Sequence, residues 1–321
     1  MRKVLFIIAL NLLSGFCSFA VNATPIELFV NNRDADTVTV VDPGKSKVIE
    51  EIRVGKKPTY VTLSPDGRFA FSVSTGEKRL YVIDTAKRRV IKKLALSNDP
   101  KGVGVTKDGK FVYVINEGPE ASNVYVFEIG SWKKLKTVKT GSLPHNITFS
   151  PVDSLAYVTN AGTKDITIID TARHEVTGTI NIPRNGLPHN LDITPDGRYL
   201  VVTLKKTDEV AVVDLQKNKV VKFLSVSKGH HGIAVSPDGR WVYVTGVGSD
   251  VVTKVDTRKW QVKGIIKVGR GPHGVRFSPD GRLAFVAVTK EDDIAVIDVG
   301  KGRVMKRIKS PGVPFWIALR E

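Results

Sequence analysis

Short runs in which apolar residues alternate with small or polar ones dominate this chain. Examples are "FAFSV" (69–73), "FVYVI" (111–115), "LAYVT" (155–159), "WVYVT" (241–245) and "LAFVA" (283–287). Period-two alternation over about five residues predicts half-buried β-strands. Each run follows a turn such as "SPDGR", where Asp and Gly suit a tight reversal. Before that turn lies another short strand, "YVTLS" (60–64) or "GVRFS" (274–278). After a polar loop comes a third, "LYVIDT" (80–85) or "IAVIDV" (294–299), and then a more polar fourth, "VIKKLAL" (90–96) or "VMKRIKS" (304–310). No helical period competes with this pattern.

The four-strand unit repeats. Aligned on the residue that opens its first strand, it recurs at Pro58, Pro100, Pro144, Pro188, His230, Pro272 and Pro314, at spacings of 42 to 44 residues. A period near 40 with four strands per unit predicts propeller blades. Six units are complete. The seventh has only its first strand, 314–321, and "IELFVNN" (26–32), "TVTVVD" (37–42) and "KVIEEIRV" (47–54) supply the other three. The expected fold is all-β: a seven-bladed β-propeller with four antiparallel strands per blade. Its last blade is closed by N-terminal strands plus the C-terminal strand, which leaves no open seam. Residues 24–321 form one domain in this reading, since each blade buries its faces on its neighbours.

The motifs "YVTNAG", "VYVTG", "SPDGR" and "VIDT" resemble those of the YVTN-repeat β-propeller family over essentially all of residues 25–321. The resemblance implies the fold. Members include surface-layer modules, periplasmic propellers, some of them DNA-binding, and lactonase-like enzymes, so one fold carries several functions.

The first 23 residues read as a secretory signal peptide. Arg2 and Lys3 precede the apolar run "VLFIIALNLLSGF", and "VNA" places small residues before a cleavage point after Ala23. The protein is therefore expected to be exported, to a periplasmic or extracellular compartment. Cleavage removes Cys17, the only cysteine, so stability must come from packing. No other stretch approaches membrane-spanning length. The formal charge is +17, or about +15 without Arg2 and Lys3. Such a surface attracts DNA, acidic polysaccharide, an acidic protein or an acidic redox partner, or simply keeps a monomer in solution.

The repeat accounts for two recurring sets of carboxylates. Asp42, Asp84, Glu128, Asp170, Asp214, Asp256 and Asp298 end third strands, and Asp66, Asp108, Asp196, Asp238 and Asp280 lie in first turns. Both places suit backbone-capping roles. No isolated carboxylate pair, nucleophile elbow or phosphate loop stands out. Trp132 and Trp260 are expected to begin fourth strands, and Trp241 a second strand, as packing residues.

The histidines do not follow that logic. The residue after each unit's opening position reads Thr59, Lys101, His145, His189, His231, His273, Phe315. Four of the six histidines share this column, and His230 precedes one of them. First strands line a propeller's central channel, so the column should ring one mouth. Phe315–Trp316, Lys101 and Thr59 would stand across from the imidazoles. Asn31, Asn32, Glu117, Asn160, Lys205 and Lys290 would add a rim. Three readings of the imidazole arc remain open. Each ring may simply bond a nearby carbonyl. His145, His189, His230, His231 and His273 would suit a transition metal such as copper. A haem-type cofactor is the third, with His145, His189, His231, His273, Lys101, Phe315 and Trp316 as its contacts.

The "PHG" and "PHN" openings resemble those of the nitrous-oxide reductase propeller, where inner-strand histidines hold a copper cluster. They also resemble the haem d1 propellers of cytochrome cd1 nitrite reductase and its maturation factor. The chain departs from nitrous-oxide reductase in lacking the cysteine-containing copper domain and several of the histidines. The leading expectation is an exported binding protein for a metal or metal cofactor in a respiratory or maturation setting. A cofactor-free scaffold for a polyanion, and a lactonase-like or metal-dependent enzyme, are the alternatives.

Overall fold

A computed structural model describes residues 26–118 and 122–321. The expected leader, 1–23, lies outside the described residues. Seven four-stranded antiparallel sheets form the propeller. One blade shows the plan: inner strand Pro144–Phe149, then Leu155–Asn160, Asp165–Asp170 and outer strand Glu175–Asn181. The closing blade pairs Pro314–Arg320 with Glu27–Asn32, followed by Thr37–Asp42 and Lys47–Arg53. Glu27 clamps this seam from below by pairing with Arg320 at 2.7 Å and with Arg88 of the next blade at 2.8 Å. No helix among the described residues is long and apolar enough to cross a membrane.

Apolar alternation becomes inter-blade core. Tyr113 and Ile115 pack with Ile147, Ala156 and Val158 of the following blade, all buried. Trp132 and Trp260 sit in the left-handed position of the turn just before the fourth strand rather than within it (φ 60° and 48°). They still pack: Trp132 meets Phe69 edge-on at 5.2 Å, and Trp260 meets Tyr199 at 5.2 Å. The first-turn aspartates behave as turn caps. Asp66 Oδ1 accepts from the Ser64 hydroxyl at 2.5 Å and the Arg68 N–H at 3.0 Å, and Asp238 and Asp280 repeat the geometry.

Charge has a structural home as well. Exposed lysines crowd the outer strands, Lys92, Lys93, Lys136, Lys139, Lys222 and Lys263 among them, against only Glu50, Glu51 and Glu175. Seven outer strands mean seven unpaired sheet edges, and edge lysines discourage edge-to-edge pairing.

Two devices aim the inner strands. In the blade of Pro144, pairing with the second strand jumps from Pro144↔Asn160 to Ile147↔Val158, which leaves His145 and Asn146 outside the ladder. Equivalent bulges follow Pro188, His230 and Pro272. A bulge bends the strand and re-aims a side chain. A second-strand threonine then takes up the freed backbone groups. Thr245 Oγ1 accepts from the Gly232 N–H and donates to the His273 carbonyl of the next blade, both at 2.7 Å. Thr159 does the same between Asn146 and His189. Replacing Thr245 with Val leaves both groups buried and unpaired, so the expected loss is about 2–4 kcal/mol in urea unfolding. A loss under about 0.5 kcal/mol would show that the threonine does not couple the blades.

The second device is an aspartate clip. In six of the seven blades the residue before the opening position adopts positive φ: Lys57 (53°), Leu143 (52°), Leu187 (55°) and Val313 (62°), with Gly229 and Gly271 fitting without strain. The backbone N–H groups of Lys57, Gly229, Gly271 and Val313 donate to Asp36, Asp208, Asp250 and Asp292 of the preceding blade, at 2.8–3.1 Å. Ser122 does the same for Leu143. Five of the seven inner strands are thus turned into the channel by a neighbour.

Candidate functional site

Released by the bulges, the column residues converge. Thr59, Lys101, His145, His189, His231 and Phe315 all line one cavity of about 440 Å³ at the channel mouth, joined by Arg33, Lys57 and Lys205. The imidazoles form a continuous chain of ring contacts, stacked at His145–His189, edge-on at His189–His231 and tilted at His231–His273. Ring centroids are 3.5 Å apart for His145–His189, 4.4 Å for His189–His231, 3.8 Å for His231–His273 and 3.5 Å for His273–Phe315. One nitrogen from each of His145, His189 and His231 lies within 4.8 Å of the others.

A polar network beneath the stack fixes the rings. Tyr60, the residue after Thr59, places its hydroxyl 3.0 Å from His145 Nε2 and 3.0 Å from Asn190 Oδ1. Asn190 Oδ1 also accepts from Asn146 Nδ2 at 2.7 Å, while its Nδ2 donates to the His231 carbonyl at 2.7 Å and meets His189 Nδ1 at 3.1 Å. His273 Nδ1 donates to the Phe315 carbonyl at 3.0 Å, which leaves Nε2 as the lone-pair nitrogen of that ring. On the far side of His145, Glu117 Oε2 is 3.9 Å from Nδ1 and 3.4 Å from Lys101 Nζ.

Burial favours the neutral form of His145, His231 and His273. Burial pushes the His145 imidazole down and the His231 imidazole well below its usual range, and their charged neighbours add to the effect on His231. His273 is pushed by burial to about 3, against the pull of the Phe315 carbonyl. Burial opposes ionisation of Glu117, but His145 and Lys101 outweigh it and hold the carboxyl below its usual range. Neutral imidazole is the metal-binding form. Because folded His273 titrates below the unfolded value of 6.5, unfolded chains take up that proton first. Its contribution is complete above pH 6.5 and drains as pH falls toward 3. At pH 5 the loss is about 2 kcal/mol for this one histidine, before carboxylates begin to titrate. Urea midpoints should therefore fall between pH 7 and 5, and more shallowly in His273→Leu. Equal midpoints at both pH values would count against a neutral, buried arc.

The structure separates the expected site residues into groups. His145, His189, His231, Lys101 and Phe315 share the mouth cavity. His273 is buried behind it, and Trp316 lies below it, with Tyr60 at 4.5 Å and the Arg276 guanidinium 5.2 Å from its ring. His230 opens its inner strand, and its side chain lies outside the described ones. His174 is remote, bonded to Tyr113 at 2.5 Å. Among the rim residues, Glu117 sits beside Lys101 and His145 and Lys205 faces the cavity, but Asn31, Asn32 and Asn160 are fully buried. Their amides tie strands and blades together: Asn160 to Thr167 at 2.8 Å, Asn31 to Ser72 at 3.1 Å, Asn32 to Ser310 at 3.0 Å. Sequence reasoning missed Tyr60 and Asn190. Both stand one place after the column, where other blades carry glycine (Gly102, Gly232, Gly274), and that contrast was the available signal.

Residues 24–314 match the model of the Cytochrome D1 heme domain family. No curated protein matches the sequence. Among solved structures, the chain is similar to Kuenenia stuttgartiensis hydrazine synthase, at 23% identity over 85% of this chain and 92% of that one, with a TM-score of 0.77. A functionally unknown protein from Desulfotomaculum acetoxidans DSM 771 superposes with a TM-score of 0.79 at 14% identity, over 92% and 99% of the two chains. The dihydro-heme d1 dehydrogenase NirN gives a TM-score of 0.68 at 16% identity, over 89% of this chain and 73% of that one. At these identities the likeness is one of fold.

Proposed function

This chain belongs to the Cytochrome D1 heme domain family, and from that premise we propose that its histidine-ringed channel mouth binds a haem-type tetrapyrrole. The observation that carries the proposal is the convergence of six column residues, three of them imidazoles, on one cavity. The residues present suit such a group. His145, His189 and His231 offer nitrogen donors, with His273 stacked behind them. Lys57, Lys101, Lys205 and Arg33 offer charge-assisted hydrogen bonds to the acidic substituents of a tetrapyrrole. The Thr59 hydroxyl, buried without a hydrogen-bond partner among the described residues, is a further donor in the same cavity. Phe315 contributes an apolar wall, and Trp316 supports the floor through Tyr60.

Bound there, an iron tetrapyrrole supplies one-electron chemistry at its metal. The chain's own part is to hold and orient. The Tyr60 hydroxyl bridges His145 and Asn190, so it sets which His145 nitrogen carries the proton. Ionised Glu117 keeps Lys101 at the mouth. The leader at 1–23 supports an exported setting, and the basic outer strands support an acidic redox partner.

The test is a visible spectrum and iron analysis on protein purified from its host, followed by titration with ferric protoporphyrin IX. The expected result is a tetrapyrrole absorption band, about one iron per chain, and saturable uptake. Colourless, metal-free protein that takes up no porphyrin would overturn the proposal. A second reading rests on the three-nitrogen convergence alone: a bare transition-metal ion, copper among the candidates. Stoichiometric metal without a porphyrin band would select it.

A further inference from the structure

The channel continues below the histidines. A cavity of about 150 Å³ lies there, enclosed by the inner strands. Among the described residues Tyr60 alone lines both this cavity and the mouth, so its phenol is the partition between them. At the lower end, Arg276 and Thr62 also line a cavity of about 570 Å³ on the opposite face, beside the first-turn residues Ser64–Gly67. The small cavity and the lower one thus share Val61, Thr62 and Arg276 as lining.

Two residues give it chemistry. Asp192 stands three places after His189 and Arg276 three places after His273, where the other blades carry glycine, alanine or threonine. Both Asp192 oxygens are occupied by backbone donors, the Ile193 N–H at 2.9 Å and the Val235 N–H at 2.8 Å. Arg276 Nη1 donates to the Val275 carbonyl at 3.0 Å, and its carbon lies 5.2 Å from the Trp316 ring. No carboxylate among the described residues comes within 4.0 Å of this guanidinium, Asp192 included. A guanidinium has five N–H donors, and the Val275 carbonyl takes the one hydrogen bond that Arg276 makes among the described residues. Thr62 and Thr148 line the cavity as well, and their hydroxyls make no hydrogen bond among the described residues. A buried charge without a contact partner is costly.

We propose that this cavity is a binding site for a small monovalent inorganic anion such as a halide or nitrate, held by Arg276 with Thr62 and Thr148. A single guanidinium in a cavity that Asp192 also lines favours one negative charge over two, and Arg276 borders the lower cavity as well. Asp192 couples the site to pH. Burial raises its proton affinity, against the pull of Arg276. The titratable groups facing it are Arg276 and Tyr60, and burial keeps the Tyr60 phenol neutral. An anion beside Asp192 raises its proton affinity further, so binding takes up a proton and affinity strengthens as pH falls.

The test uses the full chain, unloaded, in thermal unfolding at constant ionic strength with chloride, nitrate, sulfate or gluconate. Chloride and nitrate should raise Tm saturably by a few degrees over gluconate, more at pH 6 than at pH 8, and sulfate should not. Arg276→Gln should lose the rise. Asp192→Asn should keep the rise and lose its pH dependence. The His145/His189/His231→Ala variant should keep both, which separates this site from the mouth. If Arg276→Gln does not fold, Thr62→Val/Thr148→Val and a bromide-soaked crystal decide: a weakened rise and an anomalous peak beside the Arg276 guanidinium support the site. Equal Tm values in nitrate and gluconate, a rise undiminished in folded Arg276→Gln, or no bromide peak in the cavity would overturn it.

Discussion

Replacing His145, His189 and His231 together with alanine is expected to abolish saturable uptake of ferric protoporphyrin IX, with apparent affinity at least 100-fold weaker. Loss of an outer-shell partner of a ligating histidine already costs about 10–100-fold, and here the imidazoles themselves are removed. The fold should survive, because the rings stand at a cavity rather than between blades. Retained β-sheet circular dichroism and a cooperative melt in the same sample would establish that. Lys101→Ala and Lys205→Ala should each weaken uptake by only about 3–10-fold, since exposed or half-exposed charges contribute little individually. His174→Ala, remote from the mouth, should change nothing. Undiminished uptake by the triple variant would place any tetrapyrrole elsewhere on the molecule.

Gly232→Ala should be among the most damaging single changes in the chain. A Cβ at Gly232 would stand 2.1 Å from the His273 carbonyl oxygen and 3.1 Å from Thr245 Oγ1. The obstacle is backbone of the next blade, so no side-chain rotation relieves it. The two inner strands must separate, which breaks the threonine bridge between them. Overpacking of this kind costs about 1–3 kcal/mol, and loss of the bridge adds about 2 kcal/mol more. Urea unfolding should show a loss above about 3 kcal/mol, with porphyrin uptake reduced because His231 and His273 move apart. Gly178→Ala is the control. Its Cβ would meet only Ile168 Cδ1 at 3.8 Å, so it should be neutral or slightly stabilising. A small, equal effect at both positions would mean that the inner strands pack less closely than described.

The blades were legible in the sequence because each must bury two faces with the same alternation. The repeat therefore wrote itself seven times, with a proline or histidine marking the opening position. That marker also made the histidine column visible and placed it at the channel. What followed the marker was not legible. The bulge after Pro144 or Pro188 resets the alternation, so no counting rule says which way Asn146 or Asn190 points. Asn31, Asn32 and Asn160 read as a rim because they end second strands. They are buried because serines and threonines of the same and neighbouring blades offer their amides partners. The Asp36, Asp208, Asp250 and Asp292 clips act on the following blade, 21 residues on, and no periodicity reports a contact of that kind. Trp316 looked like a wall of the mouth beside Phe315, yet neighbours on a strand point to opposite sides.

The closing blade joins strands from opposite ends of the described chain, and that pairing has a kinetic consequence. Six blades are built from local hairpins, but Glu27–Asn32 must wait for Pro314–Arg320. The largest loop-closure entropy in the fold therefore falls on its last step. The mouth takes residues from six of the seven blades, the closing one among them, so it does not exist until the ring shuts. Any ligand held there binds the closed ring and not the open one, and by mass action it acts as a latch on the seam. Bound protein should open, and become accessible to proteases at the seam, more slowly than unbound protein.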